Sequence, residues 1–167
     1  MLTQTKPFSM GVPMYPSLLK VTLLAFTMAM GTSAYAAGDA EAGQAKAATC
    51  VACHGVDGNS AVPTFPKLAG LGHKYLLKQM QDIRDGRRPV ALMAGQVDNM
   101  TDQDLADIAA FYDSQSRTGG IADPDKVALG RKVYLAGIAE RQVPACSGCH
   151  SPTGNGNGPA GYPALGG

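Results

Sequence analysis

Two short runs of this chain carry residues able to do redox chemistry: Cys50-Val51-Ala52-Cys53-His54 and Cys146-Ser147-Gly148-Cys149-His150. Each sets a pair of thiols three positions apart, with an imidazole directly after. On one turn of helix such thiols share a face. They are spaced to form thioethers to the two vinyl groups of one porphyrin, and the adjacent His is then carried beneath the iron. This is the attachment pattern of a c-type haem. Attachment uses both thiols of each pair and leaves none for a structural disulfide. Other uses of the same residues fit less well. A redox dithiol wants a thioredoxin-like βαβ context, which the sequence lacks. Tetrahedral zinc needs four donors, whereas one motif offers three and the two together offer six. Two covalently bound haem c groups are therefore expected on Cys50, Cys53, Cys146 and Cys149, with His54 and His150 as iron ligands.

The second axial ligand decides what such a haem does, because iron held by His and Met is typical of electron-transfer cytochromes. Met80, Met93 and Met100 follow the first motif. Met80 falls on the apolar face of a helical pattern and reads as core. Met100 precedes a helix cap and reads as a hydrophobic staple. Met93 lies between Pro89 and Gly95, in a segment expected outside the helices and free to cross the haem face. Met93 is thus the expected distal ligand, with Met100 as runner-up. No Met follows His150. His73, the one His outside the motifs, is expected at the surface or at a cap. Pro63 and Pro159, each nine residues past a motif His, offer carbonyls to receive the imidazole N–H; Pro66 and Pro163 are the rivals.

The elements around these residues repeat. His54 maps to His150 at an offset of 96, and Phe65-Pro66, Leu68 and Gly70 map to Tyr162-Pro163, Leu165 and Gly167 at 97. Gly43 and Gly130 occupy similar places in helical stretches upstream. Such self-similarity bears on the fold before any single element does. The first copy runs on to about Arg117, roughly 47 residues beyond Gly70, and has no counterpart after Gly167. The second copy is therefore expected to be partial, the chain reading as a C-terminally truncated fragment. Helices are expected from Asp39 to about Ala48, from His73 to Asp85 with Gly86 as a left-handed stop, and from Thr101 to Ser114. The last of these opens with a Thr101/Asp104 capping box. A fourth is expected from Asp123 to Ala139, with Val127, Val133, Tyr134 and Ile138 available for burial. Gly43 is expected to let the Phe111-Tyr112 helix cross close to the first. No convincing period-2 strand is present, so the fold class is all-α. Thr118 to Pro124, rich in turn residues, is the expected linker.

Ahead of this repeat, Val21 to Met30 is apolar but far short of the ~20 residues of a membrane span. Lys6 and Lys20 precede it and Ala34-Tyr35-Ala36 follows, the pattern of a secretory signal with cleavage expected after Ala36. The formal charge of the whole chain is +1, and loss of those two lysines leaves −1. A nucleic-acid binder is not indicated. With aromatics at only 6%, a cofactor filling the core would explain how so few large side chains suffice.

The stretches AGDAEAGQ, CVACHGVDGNS, FPKLAG, YLLKQMQDIRDG, TDQDLADIAAFYDSQ and PACSGCH resemble the cytochrome c4 family, di-haem members of the class I cytochromes c. The resemblance covers residues 37–167. It implies tandem class I cytochrome c domains, residues 37–117 complete and residues 118–167 partial, after a signal at 1–36. It also implies His and Met on each iron, with the first distal Met at Met93. The short loop before Met93, and Met100 where a Leu is common, depart from the pattern without removing a ligand. Implied too are the periplasm, loose membrane association, and single-electron transfer between respiratory partners such as a quinol-oxidising complex and a terminal oxidase. A haem subunit of a periplasmic dehydrogenase is the alternative, followed by an open-haem enzyme or gas sensor.

Overall fold

Asp39 starts the first helix through its side chain. Its Oδ1 accepts from the amides of Glu41 and Ala42 at 2.9 and 3.2 Å, satisfying donors that a helix start leaves open. Helix α1 (Ala40–Lys46) follows and passes through a 3₁₀ turn, Ala47–Thr49, into α2 (Val51–His54), the single turn that carries the first motif. The structure, a computed structural model, describes residues 37–166. The expected export segment 1–36 and Gly167 lie outside them.

Helix α3 (His73–Arg84) ends ahead of Gly86, whose φ of 74° is the left-handed stop the sequence indicates. Helix α4 (Asp102–Asp113) opens with the full Thr101/Asp104 capping box. Helix α5 (Pro124–Ala136) is capped by Asp123, and α6 (Ser147–His150) carries the second motif. Isolated bridges at Ile138–Val143 and Asn157–Tyr162 are the one sign of extended pairing among the described residues. The all-helical expectation stands. No described helix is long and apolar enough to cross a membrane.

The first copy is organised by α4. Ala47, Leu76, Ile108, Ala109, Phe111 and Tyr112 form its core, with Leu68, Leu71, Met80 and Met100 packed against it. Helix α1 crosses α4 at backbone contact: a Cβ added to Gly43 would sit 2.0 Å from the Asp107 carbonyl oxygen. At the same crossing Asp107, 3% exposed, accepts from the Asp39 amide at 2.8 Å, from Gln103 at 2.7 Å and from Lys46 Nζ at 2.5 Å. Lys46 also reaches Asp104 at 2.7 Å. Burial by itself would raise the Asp107 pKa, but Lys46, the Asp39 amide and Gln103 outweigh it and hold the carboxyl below its ordinary value.

That balance has a pH signature. A carboxyl whose folded pKa is depressed stabilises the fold fully above its unfolded value of about 3.9 and loses that contribution as pH falls through the folded value. Asp107→Asn is expected to lower stability by roughly 2 kcal/mol at neutral pH. The gap from the parent should narrow as pH drops below about 4. Denaturant unfolding at pH 7 and pH 3 checks this; a gap of equal size at both would show that the charge is not what matters.

The second copy departs from expectation in two places. Its helix α5 stops at Ala136, three residues short of Ala139. Gly137, φ 71°, turns the chain there so tightly that a Cβ would lie 2.3 Å from the Val143 carbonyl. Nor does α5 bury any residue: Val127 is 51% exposed, and Val133 and Tyr134 are only half-buried, as is Ile138 beyond its end. The physical reason is the missing cover. Its counterpart α1 is buried by α4, and no such helix packs on α5 among the described residues. The two copies meet where Lys74 Nζ, at the start of α3, donates to the Pro159 carbonyl at 2.7 Å. The expected linker begins tied back to the first copy, with Thr118 bonded to Asn59 and Lys67.

Candidate functional site

Both motifs fold into the same device. In each, one helical turn closes with the His amide on the first Cys carbonyl, His54 N to Cys50 O at 2.9 Å and His150 N to Cys146 O at 3.0 Å. The first thiol of each pair is half-buried and the second exposed. Burial pushes the Cys50 thiol pKa up. After the turn the chain loops back over the imidazole. The carbonyls of Gly58 and Gly154, at φ 75° and 76°, receive the Leu68 and Leu165 amides at 2.7 and 2.8 Å. An aromatic ring stands edge-on to each imidazole at the same 65°, Phe65 at 6.4 Å from His54 and Tyr162 at 5.8 Å from His150.

The imidazoles are fixed by carbonyls, but not by the first candidates. His54 Nδ1 bonds to the Pro66 carbonyl and His150 Nδ1 to the Pro163 carbonyl, both at 2.8 Å. The count of nine residues to Pro63 and Pro159 overlooked the turns that take up chain before it returns. Phe65 folds back on Val62, and Gly158–Ala160 forms a 3₁₀ turn. The Pro159 carbonyl is instead the one bound by Lys74. With Nδ1 donating its proton, the neutral ring keeps a lone pair on Nε2, the atom that binds metal.

In the first copy this imidazole, 7% exposed, lines a cavity of about 430 Å³ together with Cys50 and Cys53. That size lies within the ~300–1,000 Å³ of ordinary cofactor pockets. Its walls are mainly apolar, including Leu71, Leu76, Ile83, Val97 and Ile108, and α3, α4 and the segment after α3 all contribute. Tyr112 also lines it, with its hydroxyl buried. An apolar cleft with paired thiols at one edge and an imidazole lone pair in its wall fits a covalently held haem.

Met93 and Met80 both line the cavity; Met100 packs on the core without reaching it. Met93 sits at the end of a 3₁₀ turn, Ala91–Met93, rather than in irregular chain. The neighbouring Val97, 2% exposed, anchors that segment. Met80, read from periodicity as core, does both jobs. His73 does not cap α3: it is the first residue of that helix, Gly72 takes the cap position, and His73 is half-buried, its Nε2 without a hydrogen-bond partner among the described residues. The aromatic pair Phe65 and Tyr162 was seen as part of the repeat but not as rings on the imidazoles.

One peptide breaks the symmetry. Gly55 follows His54 at φ 81°, ψ 159°, whereas Ser151 follows His150 at φ 69°, ψ 158°. That region is close to glycine-only. Ser151→Gly is expected to raise stability by roughly 1 kcal/mol, the Ser151 Oγ contact with the Asn155 amide being a partial offset. A melting curve of the haem-loaded protein tests it; an unchanged or lower midpoint would mean the strain is not there.

Helices crossing at a glycine, a Cys-x-x-Cys-His turn and a carbonyl-bound imidazole over an apolar cleft define a c-type cytochrome. The Cytochrome c family model matches residues 40–116. Cytochrome c4 of Pseudomonas aeruginosa is 57% identical over 149 residues, 89% of this chain and 74% of the relative. The crystal structure of reduced recombinant cytochrome c4 from Pseudomonas stutzeri superposes with a TM-score of 0.76 at 54% identity, over 78% of this chain and 74% of that one. A thiosulfate dehydrogenase electron acceptor of Thiomonas intermedia is 34% identical, over 72% of this chain and 57% of its own length. The chain belongs to the cytochrome c4 family. It is a di-haem electron carrier rather than an enzyme, with a Cys pair for each covalent haem c.

Proposed function

We propose that this chain carries single electrons between respiratory partners in the periplasm, from a quinol-oxidising complex towards a terminal oxidase. Family membership implies the periplasm, and we place cleavage of the export signal after Ala36. In this reading residues 37–117 form one haem domain and residues 118–167 belong to a second. Cys50 and Cys53 hold the first haem, with His54 and Met93 on its iron; Cys146, Cys149 and His150 hold the second. Bound haem supplies a one-electron ferric/ferrous couple. The chain's part is to keep that couple dry and rigid. Pro66 and Pro163 fix the imidazole rings, and the apolar walls exclude water. The exposed position of Cys53 and Cys149 leaves an edge of each site for a partner to approach through a small, transient interface.

The observation that carries this is the duplicated imidazole–carbonyl bond, at 2.8 Å in both copies. An imidazole held so firmly would, as a ligand to bound haem iron, suit electron exchange, which gains from unchanged geometry between oxidation states. The net charges, −2 over residues 37–117 and +1 over residues 118–167, are too small for strong electrostatic steering.

The test is haem content followed by electron transfer, on protein exported by a host with haem-attachment machinery. Two haems per chain are expected, falling to one in Cys146→Ala/Cys149→Ala. The reduced protein should then be oxidised by a terminal oxidase and re-reduced by a quinol-oxidising complex within milliseconds to seconds. Failure to react with either would sink the respiratory reading. A second reading, electron acceptor to a periplasmic dehydrogenase, draws on the likeness to the thiosulfate dehydrogenase electron acceptor. Co-purification with a catalytic subunit would favour it.

A further inference from the structure

The strained peptide after the second motif has a partner that the first lacks. Tyr134, on the last turn of α5 (Pro124–Ala136), brings its hydroxyl within 2.6 Å of the Ser151 carbonyl and 3.3 Å of the His150 carbonyl. One O–H carries one proton, so the shorter contact is the donated bond. An added Cβ on Gly154 would come 3.7 Å from the same hydroxyl. The oxygen thus sits in the bend between the motif and its returning loop. Counting from Gly43 and Gly130, Tyr134 stands where the first copy has Ala47, a buried methyl with no donor to offer. The first copy needs none, because Gly55 adopts the same backbone without a Cβ to clash. A hydroxyl and a strained serine therefore occur together at one site, and an alanine and a glycine at the other.

We propose that Tyr134 is a positioning residue for the second haem: by bonding the Ser151 carbonyl it holds the strained peptide after His150 and thereby orients the imidazole. His150 has a second restraint, the bond from Nδ1 to Pro163. That bond fixes the ring at its far side only. The backbone from which the ring springs is fixed by the α6 turn on one side and by the Ser151 peptide on the other. The Ser151 carbonyl also accepts the Gly154 amide at 3.2 Å, as the Gly55 carbonyl accepts the Gly58 amide in the first copy. With no Cβ strain to resist, that bond suffices at Gly55, whereas without the Tyr134 hydroxyl the Ser151 peptide relaxes towards an allowed region, and the ring turns with it. Rotation of an axial imidazole changes its overlap with the iron, so the effect is read in the iron's electronic state.

The proposal rests on His150 as the axial ligand of the second haem. Tyr134→Phe removes the O–H and keeps the ring. In the full-length, haem-loaded protein, the reduction equilibrium of the second haem should shift several-fold and its ferric electron-paramagnetic g-values should move. Both properties of the first haem should stay put. Ser151→Gly added to Tyr134→Phe should restore the second haem, since glycine holds that backbone unaided. An unchanged second haem in Tyr134→Phe overturns the proposal. So does a shift that Ser151→Gly fails to reverse, which would assign Tyr134 to packing. If Tyr134→Phe loses the second haem altogether, recovery of haem content in the double variant supports the proposal and continued loss overturns it. His150→Ala that leaves the second haem's spectrum intact would sink the ligand reading itself, a separate result.

Discussion

Met93→Ala is expected to open the first haem while leaving it attached. Cys50, Cys53 and His54 are untouched by the change, so haem content should remain at the parent level. The sixth position of the iron should empty, and the reduced variant should bind one more carbon monoxide per chain than the parent does. The potential of that haem should fall, because a thioether on the iron raises it. The case for Met93 over Met80 is mechanical. Both line the cavity, but Met80 is also packed against the core formed by Leu76, Ile108 and Tyr112. Met93 projects from a short turn whose backbone is closed on itself, Met93 N to Val90 O at 2.9 Å and Gln96 N to Met93 O at 3.1 Å. The turn is held down by Val97 and spends its side chain on nothing else the structure records. Met80→Leu should therefore keep the parent's carbon monoxide stoichiometry and lose only packing, under about 1.5 kcal/mol. Extra carbon monoxide binding in Met80→Leu, with none in Met93→Ala, would move the ligand to α3.

What the sequence makes legible here is whatever depends on neighbours in the chain. The Thr101/Asp104 box and the Gly86 stop involve residues a few positions apart, and both form. The thiol and imidazole pattern is equally local. Return paths are harder to read. Choosing between Pro63 and Pro66 required knowing how much chain the Val62–Phe65 turn consumes, and a residue count does not contain that. The Tyr134 hydroxyl was invisible for a similar reason. In the sequence Tyr134 is one more apolar-face residue, and only the fold brings it against a carbonyl seventeen positions on. Burial on α5 was misread because periodicity reports which face can be buried and says nothing of whether another helix covers it.

That distinction sets the sign of the remaining prediction. Gly43 and Gly130 occupy equivalent places in the repeat, yet replacing each by alanine should have opposite effects. At Gly43 the new Cβ would meet the Asp107 carbonyl oxygen at 2.0 Å, its carbon at 2.5 Å and the Phe111 Cβ at 2.9 Å. Two of these are backbone of α4, which no rotamer change can move. Helix α1 must retreat, and with it go the Lys46 and Asp39 contacts to Asp107 and the close burial of Ala47. A loss of roughly 3 kcal/mol is expected, at the upper end for overpacking, because the clash and the polar contacts are lost together. At Gly130 nothing lies within 4 Å, and alanine should stabilise α5 by about 0.5–1 kcal/mol through helix propensity alone. Paired melting curves on the haem-loaded variants decide the matter. A drop of similar size in both would mean that Gly130 is covered in solution by a helix doing for α5 what α4 does for α1. Neutrality in both would mean that α1 has room to move and that the crossing at Gly43 is not what holds the first site together.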